Sequence, residues 1–212
     1  LAGLPHSPRG RKAMEQLHPM ASPKTLALAG STREGSFNVR LRQAAAGAAR
    51  SAGADVTEVD LAGYPLPIFN QDLESAGTPE NATKLQELFF AHDGLLIASP
   101  EYNSSITPLL KNVIDWVSRK SCNHAALAAY QGKVATLLSA SPGNLGGMRG
   151  LVHLRSILGN IGVIVLPDQV CISKAADAFA DDGSLSDDKQ QQKIERAVEA
   201  LVELLTARAE GI

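Results

Sequence analysis

Cysteine is scarce in this 212-residue chain: Cys122 and Cys171 stand far apart, outside any CxxC pair. That leaves no basis for a disulfide scaffold, and two reduced thiols in a cytoplasmic protein are expected. No apolar run approaches the roughly 18 residues needed to cross a bilayer, so no membrane span is expected. Neither charge sign is in excess. With a net charge of −2, the chain lacks the basic surplus of a nucleic-acid or anionic-membrane binder, and it is not acidic enough for a carrier that docks by charge. No nucleic-acid partner is expected. Three local signatures are also missing: GxxxxGK[ST] for a P-loop, GxGxxG for a dinucleotide turn and GxSxG for a hydrolase elbow.

What is present is a globular composition, 44% hydrophobic and 20% charged, at a length that suits one α/β domain. Residues 1–23 contain prolines and basic residues without apolar periodicity, and they lack the apolar core of a secretory signal, although RGRK faintly resembles a transit peptide. The chain begins with Leu1, which suggests a vector-derived or mis-assigned start. Residues 1–23 are read as an extension outside the fold, and 24–212 as the domain.

Four short continuous apolar runs, TLALAG (25–30), GLLIASP (94–100), KVATLLSAS (133–141) and GVIVLP (162–167), predict parallel strands covered on both faces. ADVTEVDL (54–61) alternates and predicts an edge strand. Helical patterns fill the gaps, at 38–52, 79–91, 109–117, 147–159 and about 187–208. Thr78-Pro79 and Thr107-Pro108 each pair a capping hydroxyl with proline at the first helical position. Five alternations of strand and helix predict a doubly wound sheet with helices on both faces. Ligands of such sheets sit beyond the carboxyl ends of the strands, which directs attention to three loops.

The first loop, GSTREGSFN (30–38), joins strand one to helix one, where free backbone N–H groups and the helix dipole favour an anion. Its small residues let backbone wrap a phosphate. Ser31, Ser36 and Asn38 offer hydrogen bonds and Arg33 offers charge. A plain helix cap by Ser36 or Asn38 would leave Ser31 and Arg33 unexplained. The second loop, PEYNSS (100–105), ends strand three with Pro100 and presents the flat face of Tyr102. The third, SASPGNLGG (139–147), has three glycines, which permit a planar ligand to approach backbone closely. Taken singly, the last two read equally well as ordinary turns. Together the three fit a mononucleotide with a flat ring.

GSTREGSFN, PEYNSSITPLLKNVIDW and SASPGNLGG resemble the signatures of the NAD(P)H-dependent FMN reductase family, which includes quinone, azo-dye and chromate reductases. The likeness covers roughly residues 24–207, and PEYNxS followed by LKNxIDW is its most specific part. It implies a flavodoxin-like, three-layer α/β fold with five parallel strands in the order 2-1-3-4-5. It implies FMN as cofactor and NADPH or NADH as donor. Ser31, Arg33, Ser36 and Asn38, with Phe37 beside them, would hold the FMN phosphate; Pro100, Glu101, Tyr102 and Asn103 would run along the isoalloxazine ring; Ser141 and Gly143 would close its far side. YPLPIFNQDLE (64–74) would lie near the flavin edge or a partner subunit. A homodimer or homotetramer is implied, with Leu109 and Trp116 as candidate contacts.

The resemblance further implies ping-pong hydride transfer through FMN to a small-molecule acceptor: a quinone, azo compound, chromate or flavin. No side-chain base is needed, and none is nominated. His6 and His18 fall in the extension, and His92, His124 and His153 have no metal-like spacing. The alternative is a flavodoxin-type electron carrier without its own NAD(P)H turnover; the small net charge and Arg33 speak against it.

Overall fold

The computed structural model describes residues 22–121, 123–180 and 183–211. The expectations for residues 1–21 and for the Cys122 thiol lie outside the described residues. The elements alternate along the chain as β1 (Lys24–Ala29), α1 (Phe37–Ser51), β2 (Asp55–Val59), α2 (Gln71–Ala76), α3 (Glu80–Phe90), β3 (Gly94–Ala98), α4 (Pro108–Val117), β4 (Val134–Ala140), α5 (Met148–Asn160), β5 (Ile164–Ile172), α6 (Ala175–Ala178) and α7 (Asp188–Ala209). All sheet pairings are parallel, in the order β2-β1-β3-β4-β5.

Alternation of side chains across each strand divides the apolar residues between two faces. Ala27, Leu96, Leu138 and Val170 pack against Leu41 and Ala45 of α1 and Ile194, Val198 and Leu201 of α7. Leu28, Ile97 and Leu137 pack against Leu85 and Phe89 of α3, Leu110 and Ile114 of α4, and Leu151 and Leu154 of α5. Every residue of β3 and β4 is buried, which is why these strands read as unbroken apolar runs. β2 is an edge strand, as its alternation predicts.

Thr107 caps α4 as expected. Its hydroxyl accepts from Leu110 N–H at 3.2 Å and donates to the Gly30 carbonyl at 2.7 Å, joining the end of β1 to the start of α4. The other predicted cap does not form: α3 starts at Glu80, with Pro79 at the capping position and no side-chain cap bond. β5 also departs from its reading. It runs on through Pro167 to Ile172, with a register shift between Ala135 and Leu137 of β4. Proline interrupts the ladder at an irregularity on an edge strand, the place where sheets tolerate it. The α5 side chain Arg155 satisfies the carbonyls there, donating to Val165 at 3.0 Å and Pro167 at 3.2 Å.

Trp116 is no partner contact. It is fully buried, its ring meets Phe69 edge-on at 5.0 Å, and its Nε1–H donates to the Pro67 carbonyl at 2.8 Å. Residues 64–76 thus form a strap over α4. Asn112 fastens it further, accepting from Phe69 N–H and donating to the Pro67 carbonyl, and Arg119 pairs with Glu74 at 2.7 Å. Leu109 is half-buried against the same core.

The loop before α5 is set by glycine. Gly147 has φ +85°, and a Cβ there would lie 1.8 Å from Ser139 Oγ. A left-handed backbone costs other residues about 1–2 kcal/mol, and overpacking adds about 1–3 kcal/mol. Gly147→Ala is therefore expected to lower the unfolding free energy by about 2–5 kcal/mol in urea titrations. An unchanged midpoint would show that this loop adjusts freely.

Candidate functional site

At the carboxyl edge of the sheet the loops after β1, β3 and β4 enclose a cleft of about 400 Å³. The first loop supplies Ser31, Arg33, Ser36, Phe37 and Asn38; the second supplies Pro100, Glu101 and Tyr102; the third supplies Ser141. Nine of the eleven nominated residues therefore meet. Asn103 and Gly143 are outside the lining, while Ala140 and Pro142, not nominated, are in it. Their only signal in the sequence is position, since both flank the nominated Ser141.

Each loop has a local reason for its shape. Ser31 Oγ accepts from Arg33 N–H at 3.2 Å, turning the chain as it leaves β1. Ser36 stands at the N-cap of α1, yet its hydroxyl makes no capping bond, and no acidic side chain occupies the first turn. The hydroxyl and the free N–H groups of that turn thus remain available to an anion. Arg33 donates to the carbonyls of Glu34 at 3.0 Å and Gly35 at 3.1 Å, and lies over the Phe37 ring at 5.7 Å. Two of its five donors are used, so the guanidinium keeps donors for a ligand. Phe37 itself stacks on Phe179 at 6.2 Å.

Asn38 is committed to the protein. Its Nδ2 donates to the Ala140 carbonyl at 2.8 Å, and its Oδ1 accepts from Ala140 N–H at 3.0 Å. It ties the first loop to the third. Asn103 also has a local task. Tyr102 and Ser105 exchange backbone hydrogen bonds around Asn103 (φ 51°) and Ser104 (φ 65°), a tight two-residue reversal with both central residues in the left-handed region. The reversal leaves Tyr102 54% exposed at the mouth of the cleft. The glycines of the third loop serve packing more than ligand approach: a Cβ on Gly146 would lie 2.9 Å from the Ile172 backbone, and Gly147 meets Ser139 as described.

Glu101 lines the cleft, but its carboxylate is turned into the wall. It accepts from Gly150 N–H at 3.1 Å and from Arg149 Nε at 2.8 Å, with a second contact to Arg149 Nη2. Burial alone would raise this carboxyl; the Gly150 and Arg149 hydrogen bonds and the Arg149 charge outweigh it and hold the group below the ordinary value. Burial, followed by the Glu101 charge, pushes the Cys171 thiol up, so it stays protonated. His92 is buried elsewhere, between the Leu88 carbonyl and Thr57 Oγ1, and His153 of α5 meets Ser105 Oγ at 3.0 Å. Among the described residues no group of three or more His, Cys, Asp or Glu side chains could hold a metal ion.

A doubly wound parallel sheet in the order β2-β1-β3-β4-β5, with a cleft at the carboxyl ends of β1, β3 and β4, defines a flavodoxin-like protein. The family model for NADPH-dependent FMN reductase matches residues 23–177, and the chain belongs to that family. It is 38% identical over 179 residues to an NAD(P)H-dependent FMN reductase of Pseudomonas aeruginosa, covering 84% of this chain and 92% of that one. It is 35% identical over 194 residues to an NAD(P)H:quinone oxidoreductase of Solanum tuberosum, covering 89% and 95%. Among solved structures, a flavoenzyme NAD(P)H:(acceptor) oxidoreductase of Paracoccus denitrificans superposes with a TM-score of 0.74 at 28% identity, over 86% and 97% of the two chains.

The Glu101 arrangement has a pH signature. Because the folded carboxyl titrates below its ordinary value, the stabilisation is complete above the ordinary carboxylate range and is lost as pH falls through the lowered value. Hydrogen bonds to charged groups contribute about 1.5–3 kcal/mol, less here because Arg149 is half exposed. Glu101→Gln is expected to cost about 1 kcal/mol at neutral pH, with variant and wild type converging in acid, as read by urea unfolding across that range. A constant difference at all pH values would argue against a charged Glu101.

Proposed function

We propose that this protein is an NAD(P)H-dependent FMN oxidoreductase that passes hydride from a nicotinamide, by way of bound FMN, to a small-molecule acceptor, quinones first among them. The observation behind this reading is the first loop: the hydroxyl of Ser36, an otherwise buried residue at a helix start, is free of any capping bond and stands beside Ser31 and an arginine with spare donors. FMN supplies the hydride and electron chemistry. Ser31, Ser36, Arg33 and the first N–H groups of α1 bind its phosphate. Asn38 fixes the loop against β4. Pro100, Tyr102, Ala140, Ser141 and Pro142 flank the ring, and Glu101 holds the second loop to α5. Asn103 and Gly143 shape the turns. The names of the relatives, an FMN reductase and a quinone oxidoreductase, support donor and acceptor alike. Azo compounds, chromate and free flavin remain in the acceptor panel.

Donor and acceptor would take turns at a ring held in this cleft, and parallel double-reciprocal lines are expected in steady-state NAD(P)H:quinone assays. Intersecting lines would contradict that. We also place the protein in the cytoplasm, where the donor is made and where the free Cys171 thiol is at home; no helix among the described residues is long and apolar enough to cross a membrane. A homodimer or homotetramer covers the exposed Leu145, Met148 and Val152 beside the cleft mouth. Sedimentation is expected to give more than a monomer at micromolar concentration.

The decisive comparison is FMN against riboflavin, which lacks the phosphate. Charge-assisted hydrogen bonds contribute about 1.5–3 kcal/mol each, so FMN should bind at least about a hundredfold tighter, at 1.4 kcal/mol per tenfold. Arg33→Ala and Ser36→Ala should each lower FMN affinity by about tenfold or more and leave riboflavin nearly unchanged. Calorimetric titration of both ligands measures this; equal affinities would mean that the loop holds no phosphate.

A further inference from the structure

The segment that follows β5 has no place in the function proposed above, yet it is tied to two of the three cleft loops. Its hold on the third loop is backbone to backbone: Ser141 N–H donates to the Ile172 carbonyl at 3.0 Å, and Ala175 N–H donates to the Ser141 carbonyl at 3.1 Å. Its link to the first loop is aromatic, through Phe179, the residue directly after α6.

Phe179 is fixed where it stands. The Ala178 carbonyl accepts from Ser186 N–H and Ala180 N–H donates to the Ser184 carbonyl, both at 2.9 Å, while Phe179 itself bridges Leu185. Its side chain is buried in the core that the sheet shares with α1 and α7. There the ring lies nearly parallel to that of Phe37, with 9° between the planes and 6.2 Å between the centroids. Phe37 lines the cleft, and the Arg33 guanidinium rests over its ring at 5.7 Å.

Arg33 needs such a support. It is exposed, and its side-chain hydrogen bonds reach only the carbonyls of Glu34 and Gly35, its neighbours in the same loop. Those contacts move with the loop and do not relate the guanidinium to the sheet. Ordering a side chain as long as arginine carries a large loss of conformational entropy, and a donor ordered before its ligand arrives avoids that loss at binding. The face of an aromatic ring attracts a guanidinium, and aromatic pairs favour set orientations. A leucine at position 179 would occupy the core without presenting a flat face to Phe37.

We propose that Phe179 is a positioning residue for the anion: acting through Phe37, it holds the Arg33 guanidinium in place, so that a phosphate entering the first loop meets a charge already ordered. The inference rests on the reading of an FMN phosphate in that loop. It makes the segment after β5 a fourth determinant of the cleft, beside the three loops.

The test titrates FMN and riboflavin into the full chain as wild type, Phe179→Leu, Phe179→Tyr, Arg33→Ala and the double variant Arg33→Ala with Phe179→Leu. Phe179→Leu is expected to lower the ratio of FMN to riboflavin affinity by about three- to tenfold, and Phe179→Tyr to keep it near the wild-type value. Phe37→Leu breaks the same link from its other end and should give a similar fall. With Arg33 already replaced, Phe179→Leu should leave the ratio unchanged, since the effect runs through the guanidinium. An unchanged ratio in both leucine variants, an equal loss for the two flavins, or the same fall with and without Arg33 would reduce Phe179 to core filling and overturn the proposal. A second readout needs no flavin: the Arg33 Nε–Hε resonance, identified by its loss in Arg33→Ala, should show a lower heteronuclear NOE in Phe179→Leu than in wild type. Equal values there also overturn the proposal. If wild type binds riboflavin as tightly as FMN, the phosphate reading fails separately, and this resonance still decides whether Phe179 orders Arg33.

Discussion

The cleft depends on one buried amide. Asn38 and Ala140 are 102 residues apart, yet both polar groups of the side chain meet the two backbone groups of Ala140. An ordinary hydrogen bond contributes about 0.5–1.5 kcal/mol, but a buried amide left unpaired costs about 1–3 kcal/mol, so two backbone and two side-chain groups depend on a single geometry. The pairing fixes where α1 begins relative to the end of β4. Thr107 does the same between α4 and the end of β1 through the Gly30 carbonyl. Three loops separated in sequence are thereby held to a common edge by contacts that involve no ligand.

Two further devices shape what that edge presents. The Glu101 carboxylate, which would oppose an anion if it faced the cleft, is drawn into the wall by Arg149 and Gly150 N–H. The cost of its burial is offset by a partner and by the positive end of α5. The first loop keeps its donors for the opposite reason: Ser36 makes no cap bond and α1 has no early acid. One end of the cleft therefore offers donors and positive charge, and the other offers proline, alanine and the face of Tyr102. That polarity suits a ligand with a charged tail and a flat head.

Membership of the NADPH-dependent FMN reductase family agrees with this division of labour. A cofactor that brings its own redox chemistry asks the chain for position and electrostatics. His92 and Asn38, both buried, are occupied with holding elements together. Arg33 and Ser36, which keep spare donors, lie on the first loop and at the start of α1, where anions are expected.

Periodicity and run length determined the fold in advance. Strands buried on both faces must be continuous apolar runs, and alternating strands and helices at this spacing leave few topologies besides the doubly wound one. The first loop was legible too, because serines and an arginine between a strand and a helix have few other uses. The strap over α4 was not legible, because Trp116 looks the same in sequence whether it packs under Phe69 or against another chain. β5 runs on through Pro167 at an irregularity of the edge strand, where Arg155 on a neighbouring helix donates to the carbonyls of Val165 and Pro167. Asn38 offered hydrogen bonds in the sequence, but only the folded chain decided that Ala140 would take them. Local pattern sets which residues are buried and where elements start, since both follow from neighbours within one turn or one strand. Which partner answers each buried donor is a contact across dozens of residues, and the tertiary structure alone decides it.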